Sequence, residues 1–508
     1  MKNLLPIFIV LLFVCASFVG ESYTAEKSST IYFSGKTLYV GGSGPGNYSK
    51  IQAAIDNANE GDTVFVYDDS SPYYENLVVD KSITLIGEDR NTTIIDGGGK
   101  KTAVKITEDL VTICFFTITM GGDNFYDSGI RILSSHNTIF SSIIRESFNG
   151  ISFDSVSSNN LYDNIIIENY KGLYIESSGN NYITNNYINN NGEQIRLSAS
   201  KNNYLIGNTI YSKKYYYEVY IYRSKELTVN NNSFFNCGIN PQASTFKSVN
   251  NNTVNNKPLV FLVDESNLII EEAGQIFLNN CSNITVKNLE ISNVTVGILC
   301  EKTNLCNFSN NTFLNNKKAI ELESSDSNIV GNNIITSGYE AVRMSNSKNN
   351  RIINNNFVQS GWTYLYMCKN ISVMSNTFTG VSEEGIYLQS SRNCMIANNI
   401  IQECRVGIFL EILSENNLIF KNEIRNNKFF GILLAHSSNK NTIICNNFIN
   451  NHPNVFLKRS NNNVLNENYW NKPRLFPKLI IGLNEKRLFI PYITFDWHPA
   501  REPYNIEV

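Results

Sequence analysis

Gly297-Ile-Leu-Cys300, Ala319-Ile-Glu-Leu322, Ala341-Val-Arg-Met344, Thr363 with the run Tyr364-Leu-Tyr-Met367, Gly385-Ile-Tyr-Leu388 and Gly407-Ile-Phe-Leu410 open at five successive intervals of 22 residues. A fixed period of this length marks a solenoid, in which each repeat buries its apolar face only against its neighbours. Each small residue opens an apolar-x-apolar run, and residues two apart share one face of a strand. The same step joins Gly150 to Gly172, and Gly431 and Asn454 follow Gly407 at spacings of 24 and 23. Each period goes on to a Ser/Asn turn, a second apolar run such as Asn350-Arg-Ile-Ile353, and an Asn-rich corner such as Asn332-Asn333 or Asn354-Asn355-Asn356. Two or three short strands per period, with no helical stretch, predict one coil of a parallel β-helix.

A leucine-rich repeat shares a period of about 20–29 residues. Its Leu-x-x-Leu-x-Leu-x-x-Asn spacing is missing, however, and the second half of each period is β-branched where a helix would stand. Asn suits a sharp corner because it tolerates the left-handed backbone. Stacked coils would also bring equivalent Asn side chains to about 4.8 Å, within reach of amide-to-amide bonding.

With 508 residues, 42% apolar and 17% charged, the chain can bury a long core. A net charge of −3 and the lack of a basic run argue against nucleic acid or an anionic membrane as the main partner. Residues 1–25 pair Lys2 with an apolar stretch ending near Phe18, which reads as a secretory signal; an uncleaved anchor is the alternative. Secretion or cell-surface display is therefore expected. Nine cysteines remain beyond that segment, with no Cys-x-x-Cys pair, and Cys300 and Cys306 fall on inward positions of the repeat. Core filling, rather than zinc or redox chemistry, is the expectation.

Ahead of the repeats, Ile51, Ala54, Ile55 and Ala58 form the apolar face of a short helix, with Ser49 as the expected N-cap. A solenoid needs such a cap to cover its first strand edges. That helix, Gly61-Asp-Thr-Val64, Ser82-Ile-Thr-Leu-Ile-Gly87 and Thr93-Ile-Ile-Asp-Gly97 resemble the N-terminal coils of the pectin-lyase-like right-handed β-helix superfamily. Within it, the chain is similar to the NosD-like group of exported proteins, abundant in archaea. Val254-Asn-Asn-Lys-Pro-Leu-Val260, Asn280-Cys-Ser-Asn-Ile-Thr-Val286, Asn468-Tyr-Trp470 and Phe495-Asp-Trp-His-Pro499 extend the likeness through the chain. The expected fold is thus all-β: a single-stranded right-handed parallel β-helix with an N-terminal capping helix and an irregular C-terminal tail. The expected divisions are a cap with first coils at 26–110, repeats at 111–465 interrupted near 234–275, and a capping tail at 466–508.

The resemblance implies copper, since the namesake assists copper maturation of a reductase. Four scattered His (His136, His436, His452, His498) and six Met argue against it, so no metal site is expected. The superfamily also implies enzymes that cleave or epimerise acidic polysaccharides, using carboxylates on neighbouring coils. Register assembles one acidic cluster here: Glu321 and Glu323 point outward, Glu301 lies 22 before Glu323, and Arg343 lies 22 after Glu321. Such a patch could tune a carboxylate for acid–base work or bind calcium; a cross-coil salt bridge is the plainer alternative.

The outward stripe as read from sequence is Phe277, Leu299, Glu321, Arg343, Tyr366, Tyr387, Phe409, Leu433 and Phe456, with Tyr364 beside it. Aromatics at coil spacing would make a flat platform for sugar rings. Two other readings stay open: the apolar tail folds back over the stripe, or the stripe docks a surface protein. The function expected is a non-catalytic carbohydrate-binding or envelope protein, with Tyr364, Tyr366, Tyr387 and Phe409 as binding residues. The alternative is a polysaccharide-acting enzyme.

Overall fold

The computed structural model describes residues 35–213, 219–336, 338–484 and 490–506. The proposed signal segment, 1–25, lies outside the described residues. A typical coil has one long strand, Val296–Glu301, and two short ones, Asn307–Ser309 and Thr312–Leu314. Each pairs in parallel with its counterpart one coil on, as Ile298 with Ile320 and Cys300 with Leu322. The chain therefore winds as a right-handed parallel β-helix around one continuous apolar core.

The small residue of each step has a steric cause. A Cβ on Gly297 would lie 2.7 Å from the carbonyl oxygen of Ala319 and 3.2 Å from the Phe313 ring. On Gly407 it would lie 2.5 Å from the carbonyl oxygen of Gly431. Ala319 and Ala341 fill the same position, and Gln194, Gln275 and Asn454 take it in coils that adjoin a departure from the regular step. The 22-residue step slips once. Val342 pairs with Thr363 and Arg343 with Tyr364, then Thr363 pairs with Ile386, so Thr363 takes an inward position and Ala341 sits in the irregularity.

The corners divide the Asn doublets into two kinds of residue. Four left-handed positions recur in each coil, as at Asn280, Asn283, Asn288 and Asn293 and again at Lys302, Leu305, Asn310 and Asn315. The residue after such a position turns inward. Asn311, Asn333, Asn355, Asn376, Asn399, Asn422, Asn446 and Asn468 form one buried ladder, each Nδ2 donating to the next Oδ1 at 2.9–3.1 Å. The same oxygens accept backbone N–H groups, so the ladder supplies the backbone bonds that a turn leaves unmade.

Both ends are capped by carboxylates. The helix Ile51–Asn57 buries Ile51, Ala54 and Ile55 as expected. Its N-cap is Lys50 rather than Ser49, however, and makes no side-chain bond. Glu75 takes over, accepting from the Ile51 and Gln52 N–H groups at 2.8 and 3.0 Å. At the far end a hairpin, Lys478–Asn484 against Ile490–Asp496, sets Ile480 on the core. Buried Asp496 accepts from the N–H groups of Glu467 and Asn468, from Asn468 Nδ2 and from Trp470 Nε1 at 2.9–3.2 Å, ending the ladder.

The regular coil is interrupted in the middle of the chain. Thr253–Val254 and Lys257–Val263 make an antiparallel hairpin through left-handed Asn255 and Asn256. Beyond it, the Gln275 side-chain amide spans the break, bonding the backbone N–H and carbonyl of Ile239.

Candidate functional site

The outward side chains of the long strands form three rows on one face of the second half. Register sets Glu301 beside Glu323 and Glu321 beside Arg343, as the sequence implied. The cluster is not an open set of acids. Glu321 is only 8% exposed and takes Lys318 Nζ at 2.9 Å and Arg343 Nε at 3.3 Å. Glu340 shares both cations, at 3.7 and 3.2 Å. Two carboxylates and two cations thus neutralise one another in a half-buried box. Lys318 and Glu340 escaped the sequence reading because they stand one row to the side, three residues from Glu321 and Arg343.

Glu301 stands apart from that box. It edges a shallow cleft lined by Pro241, Phe246, Phe261, Phe277 and Leu299 at the junction of the two halves. Burial first, and then the negative charge of Glu323, push its carboxyl above the ordinary range, against a smaller pull from Lys302.

The stripe differs from expectation in three ways. Phe277 and Leu299 are buried rather than exposed. Tyr364, not Tyr366, continues the row from Arg343 to Tyr387; Tyr366 falls in the next row, between Ser345 and Gln389. The rings also do not lie flat. Tyr364 and Tyr387 stack at 4.9 Å and 15°, and Tyr387 and Phe409 at 5.0 Å and 10°. Their faces are spent on one another, so edges and hydroxyls meet the solvent. Tyr364 donates to Gln389 and Tyr387 to Glu411, whose other oxygen meets His436 Nδ1 at 3.0 Å. Burial, reinforced by the Glu411 bond, pushes the Tyr387 hydroxyl well above its usual range, so this hydroxyl acts as a donor. The tail bonds to the last coils, as at Asn447, Glu467 and Asn468, and so caps the rod's end.

Trp362 completes the face. Its ring meets Tyr339 at 5.6 Å, Tyr387 at 5.8 Å and Tyr364 at 5.9 Å. Its neighbour across the coils is Glu340. The indole Nε1 of Trp362 and Oε2 of Glu340 are both buried without a hydrogen-bond partner. The Trp362 N–H is thus an orphan donor among aromatic rings, whereas Glu340 Oε2 still has Lys318 Nζ at 3.7 Å. Sequence reasoning passed over Trp362 because the slipped register puts it outside the regular step.

A solenoid of in-register parallel strands with ladders of amides at its corners is a right-handed parallel β-helix. Two segments of the chain are similar to family models of right-handed β-helix proteins. Residues 55–258 match the family described as periplasmic copper-binding protein (NosD), and residues 296–448 match that described as right handed beta helix region. No curated protein matches the sequence. Among solved structures, it is similar to the Azotobacter vinelandii mannuronan C-5 epimerase AlgE4 A-module, at 12% identity over 82% of this chain and 94% of that one, TM-score 0.19. It is also similar to the PL6 family alginate lyase AlyGC, at 10% identity over 84% and 99%, TM-score 0.29. A third is the pre-mature bacteriophage phi29 gene product 12, at 8% identity over 85% and 71%, TM-score 0.31.

The donor set does not fit the copper that the family description names. Among the described residues no three His, Cys, Asp or Glu side chains gather as a metal site. His436 is turned to Glu411 and His498 to Asn466. Eight of the nine cysteines beyond the signal segment are buried. Several sit at ladder positions, where Cys306 and Cys394 take Asn328 and Asn417 oxygens on their N–H groups.

Proposed function

We propose that the chain is an extracytoplasmic, non-catalytic binding protein that holds a polysaccharide on the face around Glu340, Trp362, Tyr364 and Tyr387. One observation carries this reading: the Trp362 indole N–H is buried without a hydrogen-bond partner, on the strand position that pairs with Glu340 and among the Tyr339, Tyr364 and Tyr387 rings. A hydroxyl accepts with its oxygen and donates with its proton, so a sugar hydroxyl can take the Trp362 N–H, whose burial unpaired is otherwise costly, and donate toward the Glu340 carboxylate. Tyr339, half or more exposed, supplies a ring face beside them for the sugar's C–H surface. Tyr366 and Phe409 flank the site rather than forming a platform. Binding is favoured over turnover at this face because Glu321, Glu340, Glu384 and Glu411 each meet a cation, a histidine or a phenol donor. An exported location agrees with the periplasmic family and with the apolar start of the chain.

Retention on polysaccharide gels tests it. Trp362→Phe keeps a ring but removes the donor, and should weaken retention roughly tenfold without releasing any product. Retention unchanged in Trp362→Phe would remove this site.

A second reading, a polysaccharide hydrolase, lyase or epimerase, is favoured by Glu301 alone, whose raised carboxyl beside Glu323 could donate a proton. In that case Glu301→Gln should end product formation on a glycan that the parent protein turns over. No turnover of neutral and acidic glycans by the parent would dismiss it.

A further inference from the structure

The cap at the C-terminal end of the rod breaks a rule that capping elements follow. A terminal repeat normally turns a polar face outward to keep a solenoid soluble. In the hairpin Lys478–Asn484 and Ile490–Asp496 the inner face is the one already described, with Ile480 on the core and Asp496 on the ladder. The outer face is apolar. Leu479 lies opposite Phe495 and Ile481 opposite Ile493, and Leu483 continues the same side. Leu479, Ile481, Leu483 and Ile493 are 42–53% exposed, and Trp497, Leu475 and Phe476 at its edge are 61–78% exposed. A contiguous apolar surface of this kind marks a contact.

The charges beside it say what it contacts. Lys472, Arg474 and Lys478 precede and enter the hairpin, and none of them has a carboxylate within ion-pair distance among the described residues, although the chain as a whole is acidic. Arg474 Nε is buried without a hydrogen-bond partner. Lys478 lies 6.0 Å above the Trp470 ring, and burial together with the charge of Arg474 lowers its affinity for a proton. Two copies pressed face to face would bring these uncompensated cations together, which opposes a symmetric dimer. An anionic surface with an apolar interior answers both features: its headgroups take Lys472 and Arg474 at the edge of the hairpin, and its acyl boundary takes Leu475, Phe476, Ile481 and Trp497.

We infer that the C-terminal hairpin is a membrane-docking tip that seats the end of the β-helix on an anionic lipid surface, independently of any N-terminal apolar segment. The rod would then stand away from the bilayer with its glycan-facing side clear of it.

Vesicle flotation of the full chain tests this. It should float with phosphatidylcholine vesicles that contain phosphatidylglycerol and sediment with phosphatidylcholine alone. The triple substitution Leu475→Ser, Phe476→Ser, Trp497→Ser should lower binding at least about tenfold, since exposed residues are changed and the fold is kept. Lys472→Glu with Arg474→Glu should abolish the preference for anionic vesicles. Equal binding to both vesicle types overturns the inference. So does binding that survives the triple substitution, which would assign it to the N-terminal segment. A concentration-dependent dimer that the triple substitution dissolves overturns it as well, because the face would then belong to a protein partner.

Discussion

Glu301 shows how one residue links register, burial and pH. Its coil partner is Glu323, and Leu299 behind it is buried, so its carboxylate is poorly hydrated and faces a like charge. The folded chain therefore holds the Glu301 proton more tightly than the unfolded chain, whose carboxyl titrates near the ordinary 4.5. Between that value and the raised folded one, the folded state carries more protons, so its stability falls as pH rises through the window. Glu301→Gln cannot ionise. Its stability relative to the parent should increase across the window and stay constant above it, as read from urea midpoints on either side. A difference that is flat with pH would show that Glu301 is not strained by its surroundings. Arg343 gives the contrasting case: it lies over the Tyr364 ring at 5.2 Å and between two carboxylates, so its charge is met on three sides.

At the scale of the element, the Asn ladder is the unit of stability. Asn355 accepts the Asn333 N–H and Nδ2, and donates to Asn376, Val330 and Ile353. Asn355→Ala would leave several buried groups unpaired and should cost about 3–5 kcal/mol, whereas Asn355→Ser should cost only about 1–2 kcal/mol. Serine can replace the amide because the chain does so itself: Ser325 donates its N–H to Ser347 Oγ at 3.0 Å in a parallel ladder. Chemical denaturation of the two variants decides the matter, and equal losses would mean that space, not bonding, sets the value of the position. Ladders and small-residue steps were legible in sequence because backbone constraints impose them locally: a left-handed corner favours Asn and the inward residue after it favours an amide or hydroxyl, while the inward kink of the regular coils favours Gly or Ala. The slip at Trp362 was not. Tyr364 and Tyr366 both face outward, as residues two apart do, so pattern alone fits either to the row. Nor could spacing tell that the rings stack edge-out, since that depends on side-chain torsions, or that Lys318 and Glu340 would close the acidic patch.

The whole molecule is a rod whose two ends are closed by different devices, and this asymmetry fixes what happens when one is lost. The helix Ile51–Asn57 covers the first coil; the tail covers the last, through Lys458 pairing with Leu483, Leu465 with Asp496, and Ile480 on the core. Deleting residues 472–508 would bare the edges of Val455–Lys458 and Val464–Asn466 and leave Asn468 without Asp496. Open parallel edges of this kind pair with other chains. Each shortened molecule would still have its other end closed, so association must stop at two copies joined end to end. Light scattering should report a doubled mass. Adding Ile51→Asp with Ile55→Asp, which unseats the helix, should open the second end and convert dimers into filaments visible by electron microscopy. Filaments from the tail deletion alone would mean that the helix does not close the first coil. A monomer from that deletion would mean that the last coil protects its own edges, and that the tail serves the apolar surface it displays rather than the core it covers.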